Sequence, residues 1–328
     1  MGDISRYVRG HVIEMPEDVR GEILSVWPWI AAMLLMATAA FRAIHAPMRP
    51  QFHRGDVRAL LAYGMWSSVG SFGRQVLNYV DRFIVGALQG AASAALYAVP
   101  VNFSQKIAVA PRSFVEVLFP RIAKLDPQRQ VDMARRAIRA TIAMGTALSI
   151  FTMFALPPFI SVWIGADFAR RVADFAPLAG LLILGTTAFL VPSMILRAAG
   201  RPRETTTILL AVLGPFVAML YFATAWFGLI GAILAVLARQ CSDALLLSWR
   251  AGLLGAFMPA LAQALVLAAL AWALQRSMPD LSVPSALAES LFLVLTGIWA
   301  LWLSDDLRKL VTDMAGRALQ RVRARAKA

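Results

Sequence analysis

Long apolar runs alternate with short polar ones along most of this chain. A helix that crosses a bilayer needs ~20 mostly apolar residues. Nine stretches meet that need: Ile23–Ile44, Leu60–Leu88, Ala92–Leu118, Ile138–Trp163, Pro177–Leu196, Thr206–Trp226, Leu229–Ser248, Phe257–Leu274 and Ala286–Leu303. The second and third exceed a minimal span, so tilt or projecting ends are expected. Pro100, Pro111, Pro192 and Pro215 lie inside spans. Each is expected to kink or interrupt its helix. The pattern predicts an all-α fold, a polytopic membrane helix bundle of about nine transmembrane helices.

Two neighbouring runs carry a polar stripe. Ser67, Ser71, Arg74, Asn78 and Asp81/Arg82 recur at spacings of three or four, which places them on one helix face. Asn102, Lys106, Ser113 and Glu116 do the same on the next run, with Gln105 and Arg112 one step aside. A charge within a bilayer costs a few kcal/mol or more, so it usually faces protein or a water-filled cavity. A short turn joins the two runs, which predicts an antiparallel hairpin with both stripes facing one cavity. Its cations would be Arg74, Arg82, Lys106 and Arg112. Asp81 and Glu116 would balance charge or carry a coupling ion. Ser67, Ser71, Asn78 and Asn102 would supply polar lining. Surplus positive charge suits an anionic ligand, because Arg grips phosphate bidentately and Lys acts as a point charge.

Plainer readings compete. Asp81 and Arg82 sit near a helix end, where long side chains snorkel. Arg112 and Glu116 are four apart and can neutralise each other. Arg239 and Asp243 have the same spacing and read as a self-neutralising pair. Arg74 and Lys106 lie deepest in their runs and resist this explanation best.

Composition supports the membrane reading. The chain has 328 residues, 59% hydrophobic and 16% charged, with a mean hydropathy of +0.66; a soluble domain is roughly 25% charged. The net charge of +13 would point to nucleic acid in a soluble protein. Here the positive-inside rule accounts for it, and no nucleic-acid partner is expected. If the segment before Leu60 is inside, 22 of the 32 basic residues fall on the inner side, with Arg239 counted there, and six on the outer. That orientation puts the N-terminus outside and the C-terminus in the cytoplasm. The loop Pro120–Arg139 reads as a surface helix. The tail after Ser304 has Leu307, Leu310, Val311, Met314 and Leu319 on one side and basic residues on the other, which fits a helix on an anionic leaflet. Membrane lipids are thus expected partners.

One cysteine, Cys241, excludes a disulfide within these residues and a Cys-based zinc site. The three histidines lie outside the apolar runs. No metal or cofactor is expected. No HExxH or GxSxG occurs, and Gly70-Ser71-Phe72-Gly73 is too short for a phosphate loop. The outer connections, such as Gly86–Ala91 and Phe227–Gly228, are too short for a catalytic domain. An enzyme is not expected.

From Leu60 onward the order of features resembles the oligosaccharide flippases of the MOP superfamily, the polysaccharide-biosynthesis or O-antigen flippase group. The resemblance is carried by YVDRFIVGALQGAASAALYAVP (Tyr79–Pro100), VLFPRIAKL (Val117–Leu125), WIGADFA (Trp163–Ala169), AAGRP (Ala198–Pro202) and FGLIGAILAVLARQCSDALLL (Phe227–Leu247). It implies two six-helix lobes around a central cavity. It also implies translocation of a polyprenyl-diphosphate-linked oligosaccharide across the bacterial cytoplasmic membrane by alternating access. Polysaccharide polymerase or assembly proteins would be partners. The matching region is similar to the second lobe alone. The expected organisation is an outside segment at 1–22, a last helix of the first lobe with its loop at 23–56, a six-helix lobe at 57–250, two further spans at 251–304 and a basic tail at 305–328. A chain with one lobe is expected to be an N-terminally truncated protein or to need a second chain. Alternative readings are a MATE-like cation or drug antiporter, whose cavity should be acidic, and a non-transporting remnant or assembly subunit.

Overall fold

The computed structural model describes residues 31–36, 38, 54–277, 283–304 and 308. The chain divides into two compact units, Met1–Val57 and Arg58–Ala328. In the first, residues 31–36 and 38 are helical. Most of the predicted span Ile23–Ile44 lies outside the described residues, as does nearly all of the predicted tail helix.

The described residues form helices and no strand. The helices are α1 (Arg54–Ile107), α2 (Val109–Ala123), α3 (Pro127–Trp163), α4 (Ala166–Ala173), α5 (Ala176–Ala198), α6 (Pro202–Arg250), α7 (Leu254–Ser277) and α8 (Val283–Leu303). At 54 residues, α1 would be about 80 Å long if straight, against a hydrocarbon core of ~30 Å. It is not straight. Gly90, with φ 83° and ψ 167°, reverses the chain. Gly86 consequently faces Ala94, and Asp81 meets Tyr97. Gly228 does the same within α6 at φ 60° and ψ −139°, bringing Arg239 over Phe216. A side chain at either glycine would be strained, because Cβ clashes at such dihedrals. Thus α1 consists of limbs 54–89 and 91–107, and α6 of limbs 202–227 and 229–250.

Five described stretches are long and apolar enough to cross a membrane: Tyr63–Ala123, Gln128–Trp163, Pro177–Ala198, Pro202–Arg250 and Leu254–Ser277, with the shorter apolar Leu287–Leu303 beside them. The reversals at Gly90 and Gly228 make the first and fourth double crossings. Every predicted span from Leu60 onward falls on one of these limbs or helices except Ala92–Leu118, which runs from the second limb of α1 across the break at Ala108 into α2. The chain is a multi-pass membrane helix bundle.

Two local expectations change. Of the four prolines, only Pro111 sits at an interruption. It has no N–H for the carbonyl of Ile107, and the helix breaks there, between Ile107 and Val109. Pro100, Pro192 and Pro215 lie within uninterrupted helix. The predicted surface helix Pro120–Arg139 is instead the end of α2 and the opening turns of α3. In those turns Arg135, Arg136 and Arg139 are exposed, while Ala134 and Ala137 are buried, so α3 enters the bundle without a break.

Helix α5 is the most enclosed element, which suits its uninterrupted run of apolar and small residues. Its polar residues bond locally: Thr187 and Ser193 hydroxyls donate to the carbonyls of Leu184 and Leu190. This satisfies hydroxyls where no water is available. The first limb of α1 runs parallel to the first limb of α6. The Thr206 hydroxyl donates to the Trp66 carbonyl at 2.9 Å, and the Gln89 amide donates to the Thr224 carbonyl at 3.1 Å. Gly70 permits this approach, since a Cβ there would lie 2.5 Å from Thr206 Oγ1. On the other flank, α7 and α8 pack on α3, with Ala268 and Ala271 against Ile150 and Met153 and Ala300 against Ala140 and Ala143.

Candidate functional site

A cavity of about 270 Å³ opens between α1, α2, α5 and α6. Helical spacing builds its walls. Arg74, Asn78 and Asp81 come from the first limb of α1; Gln105 and Lys106 come from the second; Arg112 comes from α2. Thr186 of α5 and Thr205 of α6 add hydroxyl-bearing positions, and Arg239, Gln240 and Asp243 line the wall from the second limb of α6.

The charged lining is four cations, Arg74, Lys106, Arg112 and Arg239, against Asp81 and Asp243. One ion pair is closed: Arg239 Nη1 lies 2.8 Å from Asp243 Oδ2, both side chains buried. The Arg239 guanidinium also stacks over Phe216 at 5.1–5.4 Å typical of the cation–π contacts here, its own being 5.2 Å. Arg74, Lys106 and Arg112 make no side-chain hydrogen bond or ion pair among the described residues. Arg74 is attracted by Asp243 and repelled by Arg112, Arg197 and Arg239. Three cations therefore remain open to a ligand, with Asp81 as the opposing acid. Asp81 is buried and accepts the Tyr97 hydroxyl at 2.7 Å.

The structure divides the residues singled out from the sequence. Arg74, Asn78, Asp81, Lys106 and Arg112 share the cavity. Arg82 does not line it. Adjacent helix residues point about 100° apart, so Asp81 and Arg82 face different ways. Arg82 Nη2 donates to Asn102 Oδ1 at 2.7 Å and to Gln105 Oε1 at 3.3 Å, cross-linking the two limbs of α1. Asn102 is thus occupied outside the cavity. Ser71 donates to the Ser67 carbonyl at 2.9 Å, and neither serine lines the cavity. Glu116 lies one turn past Arg112, exposed and outside the lining, and the two form no ion pair among the described residues. The sequence reads Arg239 and Asp243 as a self-neutralising pair, and that pair is formed; its place in the cavity wall, with Gln240, is what the sequence reading does not give. The signal was present: Arg239, Gln240 and Asp243 are polar residues at helical spacing within an apolar run.

Residues 24–173 match the family model described as polysaccharide biosynthesis protein. Over that stretch the chain is similar to polysaccharide biosynthesis proteins. A curated protein of Shigella flexneri named "Putative O-antigen transporter" is 27% identical over 195 residues, which are 58% of this chain and 46% of that protein. The chain thus spans about half the length of the curated relative it matches. No solved structure matches it. The matched family region carries Arg74, Asp81, Lys106 and Arg112, whereas Arg239 and Asp243 lie beyond it.

Proposed function

We propose that this chain takes part in moving a polyprenyl-diphosphate-linked oligosaccharide across the bacterial cytoplasmic membrane by alternating access, for surface polysaccharide biosynthesis. The observation that carries this reading is the set of three cations, Arg74, Lys106 and Arg112, that line one cavity within the membrane-spanning bundle and have no ion pair among the described residues. A diphosphate diester offers the charge and the oxygen acceptors that such a set would hold. The kinship with a polysaccharide-related transporter supports the same substrate class. In this reading the basic loops face the cytoplasm, and the lipid-linked oligosaccharide enters from that side. A cation antiporter would call for an acidic cavity, and the balance of four bases to two acids disfavours it. The test is to change Arg74 and Lys106 to Ala in the intact protein and assay surface polysaccharide. Loss of surface polysaccharide at undiminished protein level is expected; full retention would sink the reading.

A further inference from the structure

Asp81 differs from the other acid of the cavity. Asp243 has Arg239 at 2.8 Å, whereas Asp81 has no ion pair among the described residues. The residue is only 3% exposed. Its two oxygens are held by the Tyr97 hydroxyl at 2.7 Å and the Arg82 main-chain N–H at 2.9 Å. Tyr97 is itself fully buried, so this donor is fixed by the core. The neighbouring Arg82 guanidinium is turned away to Asn102 and Gln105. An enclosed carboxylate without a paired cation is costly, and taking up a proton removes that cost.

The charged groups around it are known from each wall. Tyr97 and Arg82 belong to its own hairpin, with Arg74 on its own limb. Lys106 and Arg112 face the cavity from the opposite limb and α2, and the Arg239–Asp243 pair faces it from α6. The lining residues of α5 carry no titratable group. A dianion placed among Arg74, Lys106 and Arg112 would repel the Asp81 carboxylate and favour its neutral form. Because linkage is reciprocal, a proton on Asp81 would strengthen the hold on the anion by the same factor.

We propose that Asp81, held by Tyr97, is a proton site coupled to the cavity, so that entry of an anion is accompanied by uptake of one proton on Asp81. The inference rests on reading the cavity as an anion site. The proton comes from water, converts the carboxylate to a carboxylic acid, and returns to water when the anion leaves. Tyr97 keeps its own proton throughout.

The test uses the full chain in detergent and a short-chain prenyl diphosphate sugar, a diester whose charge does not change near neutral pH. Titration calorimetry in buffers of different ionisation enthalpy counts the protons exchanged on binding. Wild type should take up close to one proton in the pH window above the point where free Asp81 loses its proton and below the point where the bound form loses it, and there its affinity should fall about tenfold per pH unit. Asp81→Asn should bind with no proton uptake and with an affinity independent of pH. Tyr97→Phe keeps the buried ring and removes the donor, so uptake should persist but move to higher pH. Wild-type binding without proton exchange overturns the proposal, as does uptake that survives in Asp81→Asn. If Asp81→Asn does not fold, an unshifted pH profile in Tyr97→Phe overturns it. Binding that Arg74→Ala weakens while wild type exchanges no proton sinks the proton site and leaves the anion reading standing. No binding by wild type overturns both.

Discussion

The Gln275 side-chain amide of α7 donates to the main-chain oxygen of Met153 in α3 at 3.0 Å. Four residues on from Met153 stands Pro157, which has no N–H to offer that carbonyl. Gln275 therefore supplies, from another helix, the bond that the proline removes. In a membrane interior such a carbonyl has no water to turn to. Gln275→Leu should lower stability by about 1–2 kcal/mol, the usual loss when a buried acceptor is left unpaired. Thermal unfolding in detergent measures it. The cost should shrink in a Pro157→Ala background, where a main-chain N–H again reaches Met153. An equal cost in both backgrounds would show that the amide is not filling the proline's gap.

The Arg239–Asp243 pair makes a second prediction. Both side chains are buried and 2.8 Å apart. Removing one partner leaves an uncompensated buried charge, which typically costs about 3–5 kcal/mol. Asp243→Ala should therefore unfold at a clearly lower temperature or fail to accumulate. Replacing both, as Arg239→Met with Asp243→Leu, should cost much less. A double variant less stable than the single would contradict this account of the pair.

A third prediction concerns the reversal at Gly228. Its φ of 60° and ψ of −139° suit glycine and strain any other residue, at about 1–3 kcal/mol. Gly228→Ala should be destabilised by that amount. Gly64, in the first limb of α1, is helical and has open space around it. Gly64→Ala should instead be neutral or gain about 0.5–1 kcal/mol, because alanine loses less backbone freedom in a helix. Matched melting curves of the two variants decide the matter, and equal losses would remove the case for a glycine-dependent turn.

Much of the fold was legible because a bilayer leaves few choices. Apolar length marks each crossing, and the short connections at Gly86–Ala91 and Phe227–Gly228 hold the glycines, Gly90 and Gly228, that reverse the chain. Among the prolines, Pro111 stands three residues after an interruption of the helix, whereas Pro100 lies within continuous helix. The site was half legible. Helical spacing grouped Arg74, Asn78 and Asp81, which line one cavity, but it did not decide between Asp81 and Arg82, which are adjacent and point apart. The expected balance of four bases to two acids reappears in the cavity with Arg239 in place of Arg82 and Asp243 in place of Glu116. That exchange depends on α6 folding back across the hairpin: the spacing of Arg239, Gln240 and Asp243 marks a polar face of α6, and the long-range fold sets that face against the hairpin. Gly70 and Gly73, unsuited to a phosphate loop, prove to be the surface on which Thr206 and Leu209 come close.

The contrast between Arg74 and Arg82 gives the last prediction. Both are cations on the same limb, yet one lines the cavity and the other ties Asn102 and Gln105 to the hairpin. Arg74→Ala should weaken binding of a diphosphate diester by on the order of ten- to a hundredfold, the value of a hydrogen bond to a charged group. It should also flatten the salt dependence of binding, since one fewer cation then faces the ligand. Arg82→Ala should leave affinity and salt dependence near wild type and lower the melting temperature, because its guanidinium joins the two limbs of α1. Equilibrium binding at several salt concentrations, paired with thermal unfolding of the same samples, separates the two roles. If Arg82→Ala lost affinity as Arg74→Ala does while keeping its stability, Arg82 would belong to the ligand and not to the hairpin.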